Sequence, residues 1–164
     1  MLLYGLPPAP FPGRAGAPMN FRRTLLVACL ALGLAWPALA QDERPADVFA
    51  SIERAWVVGS ADAVVAQFGK RKVTISLPDG GPSGGLFSRA QSFFILKDYF
   101  AATRTEEFSF VSIRQPEEQP DNAIGMAERN FRRRDSSRTL SDRIFVSLVR
   151  EDQRWVVSEI KSVR

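Results

Sequence analysis

The stretch "DRIFVSLVREDQRWVVSEIKSV", residues 142–163, decides the fold, because it holds two apolar runs separated by one short polar turn. In the first run Ile144, Val146 and Leu148 occupy every second position, which is the spacing of a strand with one buried face. The second run closes the domain. Residues 151–153, "EDQ", are predicted to form the hairpin turn between the two strands.

Two further strands are predicted upstream of this hairpin. The segments "EFSFVSIR" (107–114) and "AIGMAERNF" (123–131) lack helical periodicity, and "PEEQPDN" (116–122) is a turn between them. Gly125 lies within the second segment, where we expect it to help the sheet bend. The last sixty or so residues therefore predict four consecutive antiparallel strands.

The segment that precedes the strands is mainly helical. In "ADVFASIERAWVVGSADAVVAQFG" (46–69) apolar residues recur at spacings of three and four, and Asp47 can cap the start. Gly59 and Ser60 interrupt this pattern, and Ser60 can cap a second short helix. The apolar residues assigned to the two helices are Val48, Phe49, Ile52, Ala55, Trp56, Val57, Val64, Val65 and Phe68.

One strand and one more helix complete the order. The segment "KVTISL" (72–77) alternates like a half-buried strand and is followed by the turn-rich loop "PDGGPSGG" (78–85). In "SRAQSFFILKDYFAAT" (88–103), Ser88 and Gln91 match a capping box, which predicts a helix start. Its predicted apolar stripe is Ala90, Phe93, Phe94, Leu96 and Phe100. Helices first and a strand meander afterwards predict an α+β fold, with helices packed on one face of a curved antiparallel sheet.

The first 40 residues read as a leader. Arg22 and Arg23 precede an apolar run at 25–36, and Ala38-Leu39-Ala40 is a typical cleavage site of a secretory signal peptide. The run is too short for a membrane span. We expect translation to start at Met19, cleavage after Ala40, and export of a single domain of residues 41–164 to the periplasm or the medium. The alternative is lipoprotein anchoring at Cys29, the last residue of "LVAC".

Composition excludes several chemistries from the exported part. The leader removes three of the 22 basic residues, which leaves 19 against 18 acidic ones. The chain has no His, and its one Cys lies in the leader. Disulfides, thiolate nucleophiles, Ser-His-Asp relays and zinc sites with N or S ligands are thereby excluded. No Asp-x-Asp-x-Asp-Gly loop is present, so we expect no metal and no cofactor.

The order of elements, with "FASIERAWVVGSADAVVAQFGKRKVTISL" (49–77) at the front and "RWVVSEI" (154–160) at the end, resembles the nuclear transport factor 2-like superfamily. The segments "GLFSRAQSFFILKDYF" (85–100), "AIG" (123–125) and "DRIFVSLV" (142–149) resemble an uncharacterised exported bacterial family, domain of unknown function 4783. This resemblance implies a cone in which helices and a bent sheet surround a pocket.

The same superfamily contains both enzymes, such as ketosteroid isomerases and scytalone dehydratase, and non-catalytic binding domains. Its catalytic pockets use Asp with Tyr or His with Asp. Without His, only Tyr99 with Asp98 remains, and neighbours on a helix point in different directions. We therefore predict no catalytic residues and a non-catalytic domain, with a small enzyme that uses a buried carboxylate as the alternative. Asp98 and Glu159 are its candidate acids.

Two binding hypotheses follow from the side chains. First, a pocket for an unknown small ligand, or an exposed sheet face for a partner protein or a homodimer, would use the aromatic residues. The alternative is that these aromatic residues simply fill the core. The predicted pocket-lining residues are Trp56, Phe93, Tyr99, Phe110 and Trp155. Second, a basic hairpin tip could bind an anionic partner through bidentate contacts. Its residues are Arg129, Arg132, Arg133, Arg134 and Arg138.

Alternation along the strand would place Arg132 and Arg134 on one face and Arg133 on the other. A solvated hairpin without a ligand is the alternative to an anion site. Nucleic acid is disfavoured as a partner, because a nearly neutral exported domain exerts little long-range attraction on a polyanion.

Overall fold

A computed structural model describes residues 43–77 and 82–163. The predicted leader, the start at Met19, the cleavage after Ala40 and the alternative anchor at Cys29 all lie outside the described residues. The elements in chain order are α1 (Pro45–Val58), α2 (Ala61–Val65), β1 (Val73–Ser76), β2 (Gly85–Phe87), α3 (Arg89–Ala102), β3 (Thr103–Arg114), β4 (Asn122–Arg133), β5 (Thr139–Glu151) and β6 (Arg154–Val163). The predicted α+β fold is confirmed.

The six strands form one sheet in the order β2-β1-β6-β5-β4-β3. The predicted meander of β3 to β6 is antiparallel throughout. Two features differ from the prediction. The strand β2 was not predicted, since Gly85 ends the predicted loop and Leu86 and Phe87 precede the predicted helix, and β1 joins β6 in parallel. The parallel pairing is possible because α3 and four strands, β2 to β5, separate β1 from β6 in sequence.

The turn between β5 and β6 is the one that the sequence predicts. Glu151 pairs with Arg154, and the two residues between them, Asp152 and Gln153, have φ values of 50° and 65°. Positive φ at both central residues is typical of the type I′ turn, whose twist matches that of a hairpin. This turn fixes the register of β5 against β6.

The helix starts follow local capping chemistry. In α3 the backbone N–H of Ser88 donates to Gln91 Oε1 at 2.9 Å, and the capping box is complete, as predicted. In α2 the Ser60 Oγ accepts from the Ala63 N–H at 3.2 Å, also as predicted. In α1 Asp47 helps to cap the helix start, as predicted, but as the third helical residue and not as the N-cap. The helix starts at Pro45, and the Asp47 side chain accepts a hydrogen bond from the backbone N–H of Arg44 at 3.3 Å.

The sheet has an inner face, which α1 and α3 cover, and an outer face. Alternation along β4 buries Ala123, Ala127, Arg129 and Phe131 on the inner face. Helix α1 packs there through Phe49, whose ring centroid lies 4.8 Å from that of Phe110. In α3 the residues that are buried differ from the predicted apolar stripe.

On the buried side of α3, two residues with polar atoms take the place of a predicted apolar residue. Phe94 is 60 % exposed, whereas Ser92, Leu96, Tyr99 and Phe100 are buried. Since Ser92 and Tyr99 carry polar atoms, hydrophobicity alone did not identify the buried side of this helix. The hydroxyl of Ser92 donates to the Ser88 carbonyl oxygen at 2.9 Å, which accounts for its burial.

Curvature comes from bulges, and Gly125 has a different role from the predicted one. Register shifts occur twice in β3 and once between β5 and β6. Bulges of this kind bend a strand and increase its twist. A Cβ atom on Gly125 would lie 2.6 Å from Phe49 Cε1 and 2.7 Å from Phe110 Cε1. Gly125 therefore permits the close packing of two aromatic rings against the sheet.

Candidate functional site

A buried ion pair lies on the inner face of the sheet. Arg129 Nε donates to Asp142 Oδ1 at 2.9 Å, and Arg129 Nη2 donates to Asp142 Oδ2 at 2.7 Å. Ser162 Oγ also donates to Asp142 Oδ2, at 2.7 Å. Neither charged side chain has exposed surface. Burial of two charges is tolerable when they are paired in good geometry, as this bidentate contact is.

Strand register brings this pair together. Arg129 and Asp142 are directly opposite each other in the antiparallel pairing of β4 with β5, and Ser162 is opposite Ile144, one inner position further along β5. Directly opposed residues in antiparallel strands have their side chains on the same face. The pair is therefore a consequence of the hairpin between β4 and β5.

Aromatic rings enclose the guanidinium group. Its Cζ lies 3.8 Å from the ring centroid of Phe131 and 5.0 Å from that of Tyr99. Trp56 is stacked on Phe108 at 5.1 Å, and Phe108 is opposite Arg129 in the pairing of β3 with β4. A cation over aromatic faces is stabilised further when water is excluded. The inner face is thus an aromatic core built around one ion pair.

Four buried polar atoms have no hydrogen-bond partner in the described part of the chain. They are Trp56 Nε1, Tyr99 Oη, Thr105 Oγ1 and Arg129 Nη1. Buried polar groups are usually satisfied, and each exception costs about 1–3 kcal/mol. Burial raises the pKa of the Tyr99 phenol above its ordinary value, and the nearby Arg129 charge opposes only part of that rise. The phenol therefore keeps its proton.

The predicted pocket-lining residues separate in the structure. Trp56, Tyr99 and Trp155 are buried in the core, and Phe110 packs against Phe49. Phe93 lines a surface depression beside α2. Trp56, Tyr99, Phe110 and Trp155 line neither the surface depression beside Phe145 nor the two depressions where α1 meets α2. All five side chains are packed in or against the core, and Phe93 in addition lines a depression.

The candidate acids do not converge on the inner face. Asp98 is exposed, and Glu159 lies half-buried on the outer face, where it accepts from Ser147 Oγ at 3.4 Å. Asp142 is the buried carboxylate among the described residues, and the sequence did not identify it. Arg129 and Ser162 engage both of its oxygens, so it is placed as a partner of Arg129 and not as a base that faces a substrate.

The structure separates Arg129 from the other arginines of the predicted hairpin tip. Arg129 is 1 % exposed and points inward, so it is not available to an external anion. The reason is alternation: Arg129 shares the inner side of β4 with Ala127 and Phe131. Arg132 is on the outer side, where it forms an ion pair with Glu106. The hydrogen bond from Arg132 lowers the pKa of Glu106.

The remaining arginines lie at or beyond the end of β4. Arg133 is the last residue of that strand, and the Arg134 backbone N–H donates to the Ala102 carbonyl oxygen at 3.0 Å. Because the strand ends before Arg134, the predicted alternation of Arg132 with Arg134 does not extend to it. Arg138 is exposed in the connection to β5.

No element among the described residues covers the outer face of β3 to β6. At its centre Phe145 is opposite Met126 on one side and Lys161 on the other, and Ile124 lies two residues from Met126. Phe145 and Met126 are half-buried, and Ile124 is 44 % exposed. An apolar centre with a polar surround is typical of a protein interface.

A depression of about 550 Å³ adjoins this centre on the outer face. Asn130 Nδ2 donates to Glu107 Oε2 at 2.7 Å, and Ser141 Oγ donates to Asn130 Oδ1 at 2.6 Å, which ties together the polar rim of the depression. Other lining residues are Glu128, Arg143 and Phe145. The rim carries both signs of charge.

A second recess, which we call the corner groove, lies where α1 gives way to α2. It consists of two depressions of about 480 and 440 Å³, both lined by Gly59, Phe100 and Arg134. The first also contains Asp62, Phe93 and Lys97, and the second also contains Val57, Val58, Thr103, Arg104 and Thr105. The groove therefore brings together Phe93 and Arg134, which the sequence placed in two separate hypotheses.

The sequence alone did not identify Asp142, Lys97 or Thr105 as site residues, although the strand pattern already indicated that Asp142 is buried. Asp142 precedes Ile144, Val146 and Leu148 at the same spacing of two, and so belongs to the buried side of its strand. Arg129 likewise follows Ala127. Lys97 and Thr105 gave no comparable signal, because their place in the corner groove depends on tertiary packing.

Within residues 43–77 and 82–163, acidic side chains do not gather into a group of three that could hold a metal ion. In the same ranges, each helix is too short or too polar to cross a bilayer.

Comparison with known proteins supports the fold. No protein-family model matches the sequence, and no curated protein matches it. Solved structures do match. A DUF4783 family protein from Bacteroides ovatus is 12 % identical, with a TM-score of 0.55, and the match covers 69 % of this chain and 91 % of that one.

Two further matches agree with the first. A DUF4783 family protein from Bacteroides fragilis is 12 % identical over 68 % of this chain and 93 % of its own, with a TM-score of 0.53. An NTF-2 like protein of unknown function from Shewanella oneidensis is 14 % identical over 71 % of this chain and 93 % of its own, again with a TM-score of 0.53. The fold is nuclear transport factor 2-like. At these identities the likeness shows the fold alone, and it is shared with the DUF4783 structures.

Proposed function

We propose that this chain is an exported, non-catalytic domain that associates with a second copy of itself through the outer face of its sheet. The observation that carries the proposal is the uncovered apolar centre formed by Phe145, Met126 and Ile124 on β4 and β5. An aromatic side chain at the middle of an exposed sheet is the usual anchor of an interface.

The area of the outer face is sufficient for a specific dimer. Four strands spaced about 4.8 Å apart, with about ten residues each at about 3.3 Å, give a face of roughly 600 Å² in projection. Stable interfaces bury about 800 Å² of accessible surface on each partner. Side chains and the depression beside Phe145 increase the accessible area above the projected value, so the two figures are comparable.

The charge pattern of the face favours a second copy as the occupant. On one side of Phe145, Glu128 is directly opposite Arg143 on the neighbouring strand. Lys161 is opposite Phe145 itself, and on the other side of Phe145, Glu159 is opposite Ser147. A surface that carries both signs of charge can be complementary to a second copy of itself, whereas a surface of one sign repels its copy. Closed dimers require such a self-complementary patch.

The inner face supports a non-catalytic role. Its buried carboxylate, Asp142, is hydrogen-bonded to Arg129 and Ser162, and its phenol, Tyr99, has no surface exposed to a substrate. General acid–base catalysis needs a group that can exchange a proton with a bound substrate. The packing of Trp56, Tyr99 and Phe131 around the ion pair instead suits a structural core.

Sedimentation velocity of the wild type and of two variants tests the proposal. Phe145→Glu places a charge at the centre of the outer face and is expected to shift a dimer to a monomer. Phe94→Glu is the matched control, because Phe94 is 60 % exposed on α3, away from this face. A wild type that remains monomeric at high concentration, or equal dissociation by both substitutions, would contradict the proposal.

A further inference from the structure

We propose that the corner groove binds an amphiphilic anion, a molecule with a carboxylate head and an aliphatic chain. The groove lies between the α1–α2 corner, the end of α3 and the start of β3, so it is separate from the dimer face of the outer sheet. This inference does not depend on association between copies.

The size of the groove suits such a ligand. Its two depressions of about 480 and 440 Å³ meet at Gly59, Phe100 and Arg134, which line both. Binding sites for small molecules commonly measure about 300–1,000 Å³. A chain that follows both depressions would be held along its length, whereas a compact ion would occupy one of them.

Charge in the groove favours an anion. Lys97 and Arg134 line the first depression together with one acidic residue, Asp62. Arg134 continues into the second depression, where Arg104 adds another cation at the rim. The Arg104 charge also interacts with Glu106 and contributes to lowering the pKa of that carboxyl. Because Arg104 already has this acidic neighbour, we assign Lys97 and Arg134 to the ligand. An Arg fork matches the two oxygens of a carboxylate.

Apolar side chains favour an attached aliphatic chain. Val57 and Val58 are 47 % and 75 % exposed at the end of α1, and Val58 is unusually accessible for an aliphatic residue at a helix end. Val57 and Val58 line the second depression, Phe93 lines the first, and Phe100 lines both. A hydrocarbon that contacts these side chains would remove apolar surface from water, which stabilises the complex by about 25 cal/mol for each Å².

A hydroxyl group provides an independent indication of a ligand. Thr105 lines the second depression, and its Oγ1 is buried without a partner in the described part of the chain. Its neighbour on the same face, Thr103, is already satisfied, since its Oγ1 donates to the Tyr99 carbonyl oxygen at 2.9 Å. Arg134 lines both depressions, so a carboxylate bound by Arg134 where they meet would accept from Thr105 and relieve this unmet hydrogen bond.

Titration of the protein with decanoate, below its micellar concentration, tests the inference. Binding is measured by calorimetry and by the methyl resonances of Val57 and Val58, which should shift on saturation. Decanol is the neutral counterpart of the same length. We expect decanoate to bind more tightly than decanol, since only the carboxylate can engage Lys97 and Arg134.

Matched variants then locate the site. Lys97→Gln and Arg134→Gln are each expected to weaken decanoate binding about tenfold, the effect of one lost hydrogen bond to a charged group. Lys72→Gln removes the same charge from an exposed position that does not line the groove. Because all three side chains are exposed, folding should be unaffected.

Three results would overturn the inference. They are an absence of saturable binding, equal affinity for decanol and decanoate, and an equal loss of binding in Lys72→Gln and Lys97→Gln. The last would mean that net charge alone attracts the ligand.

Discussion

Arg129 and Asp142 face each other across β4 and β5 with both side chains wholly buried and 2.7 Å between Nη2 and Oδ2. Each charge is tolerated in the interior because the other is present. The pair therefore joins the neighbouring strands β4 and β5, and it determines how the core responds to substitution.

Loss of one member of the pair should be costly. Asp142→Asn leaves the Arg129 charge buried and uncompensated, and is expected to lower the free energy of unfolding by about 3–5 kcal/mol. Urea denaturation at pH 7 measures this change in the free energy of unfolding. The control is Glu106→Gln, which breaks the exposed ion pair with Arg132 and should have a much smaller effect.

A double substitution provides the complementary test. Arg129→Met with Asp142→Leu removes both charges and should recover most of the stability that Asp142→Asn loses. If the single substitution is neutral, the buried pair does not have the structural role assigned to it.

Tyr99 should make stability depend on pH in the alkaline range. Burial raises the pKa of its phenol above the ordinary value of 10.0, so above pH 10 the unfolded chain releases a proton that the folded chain retains. Stability is fully present below pH 10 and is lost above it, by about 1.4 kcal/mol per pH unit. Tyr99→Phe lacks this group, so its stability should fall less steeply between pH 10 and 11.5. Parallel slopes for variant and wild type would contradict the prediction.

Gly125→Ala should destabilise the domain through overpacking. The added methyl group would meet the rings of Phe49 and Phe110 at 2.6 and 2.7 Å, and both rings are packed between α1 and the sheet. Displacing them is expected to cost about 1–3 kcal/mol. Thermal unfolding measures the change, and adding Phe110→Leu should restore part of the loss. An unchanged melting temperature for Gly125→Ala would show that the rings can move freely.

Much of the fold follows from local patterns, whereas the candidate sites do not. Alternation predicted the strands, and Ser60, Ser88 and Gln91 predicted two helix starts. The strand β2 was missed because it is three residues long and begins at a Gly. Its pairing with β1 is a tertiary contact, which no local pattern reports.

The sites depend on contacts between distant segments. Arg129 belongs to a basic run in sequence, yet alternation turns it inward to Asp142, away from Arg132. Phe93 and Arg134 are separated by about forty residues and meet only because β4 ends beside the last turn of α3. Which charges are paired could not be predicted without the register of the sheet.

Export is tested by the mass of the mature protein. The predicted leader contains an apolar run at 25–36 followed by Ala38-Leu39-Ala40, so we expect the secreted form to begin at Gln41. Intact-mass spectrometry of the natural product measures this. A diacylated chain that begins at Cys29 would show membrane anchoring instead, and an unprocessed chain would contradict export.

The central claim, association through the outer face, is tested most directly by a distance between two copies. A spin label at Ser147→Cys in the protein that begins at Gln41, which has no other Cys, lies on the outer face beside Glu159 and Ile124. Pulsed electron paramagnetic resonance of the labelled protein should give one defined distance between labels, and Phe145→Glu should abolish it. Isolated spins at every concentration, with no dipolar signal, would contradict the account.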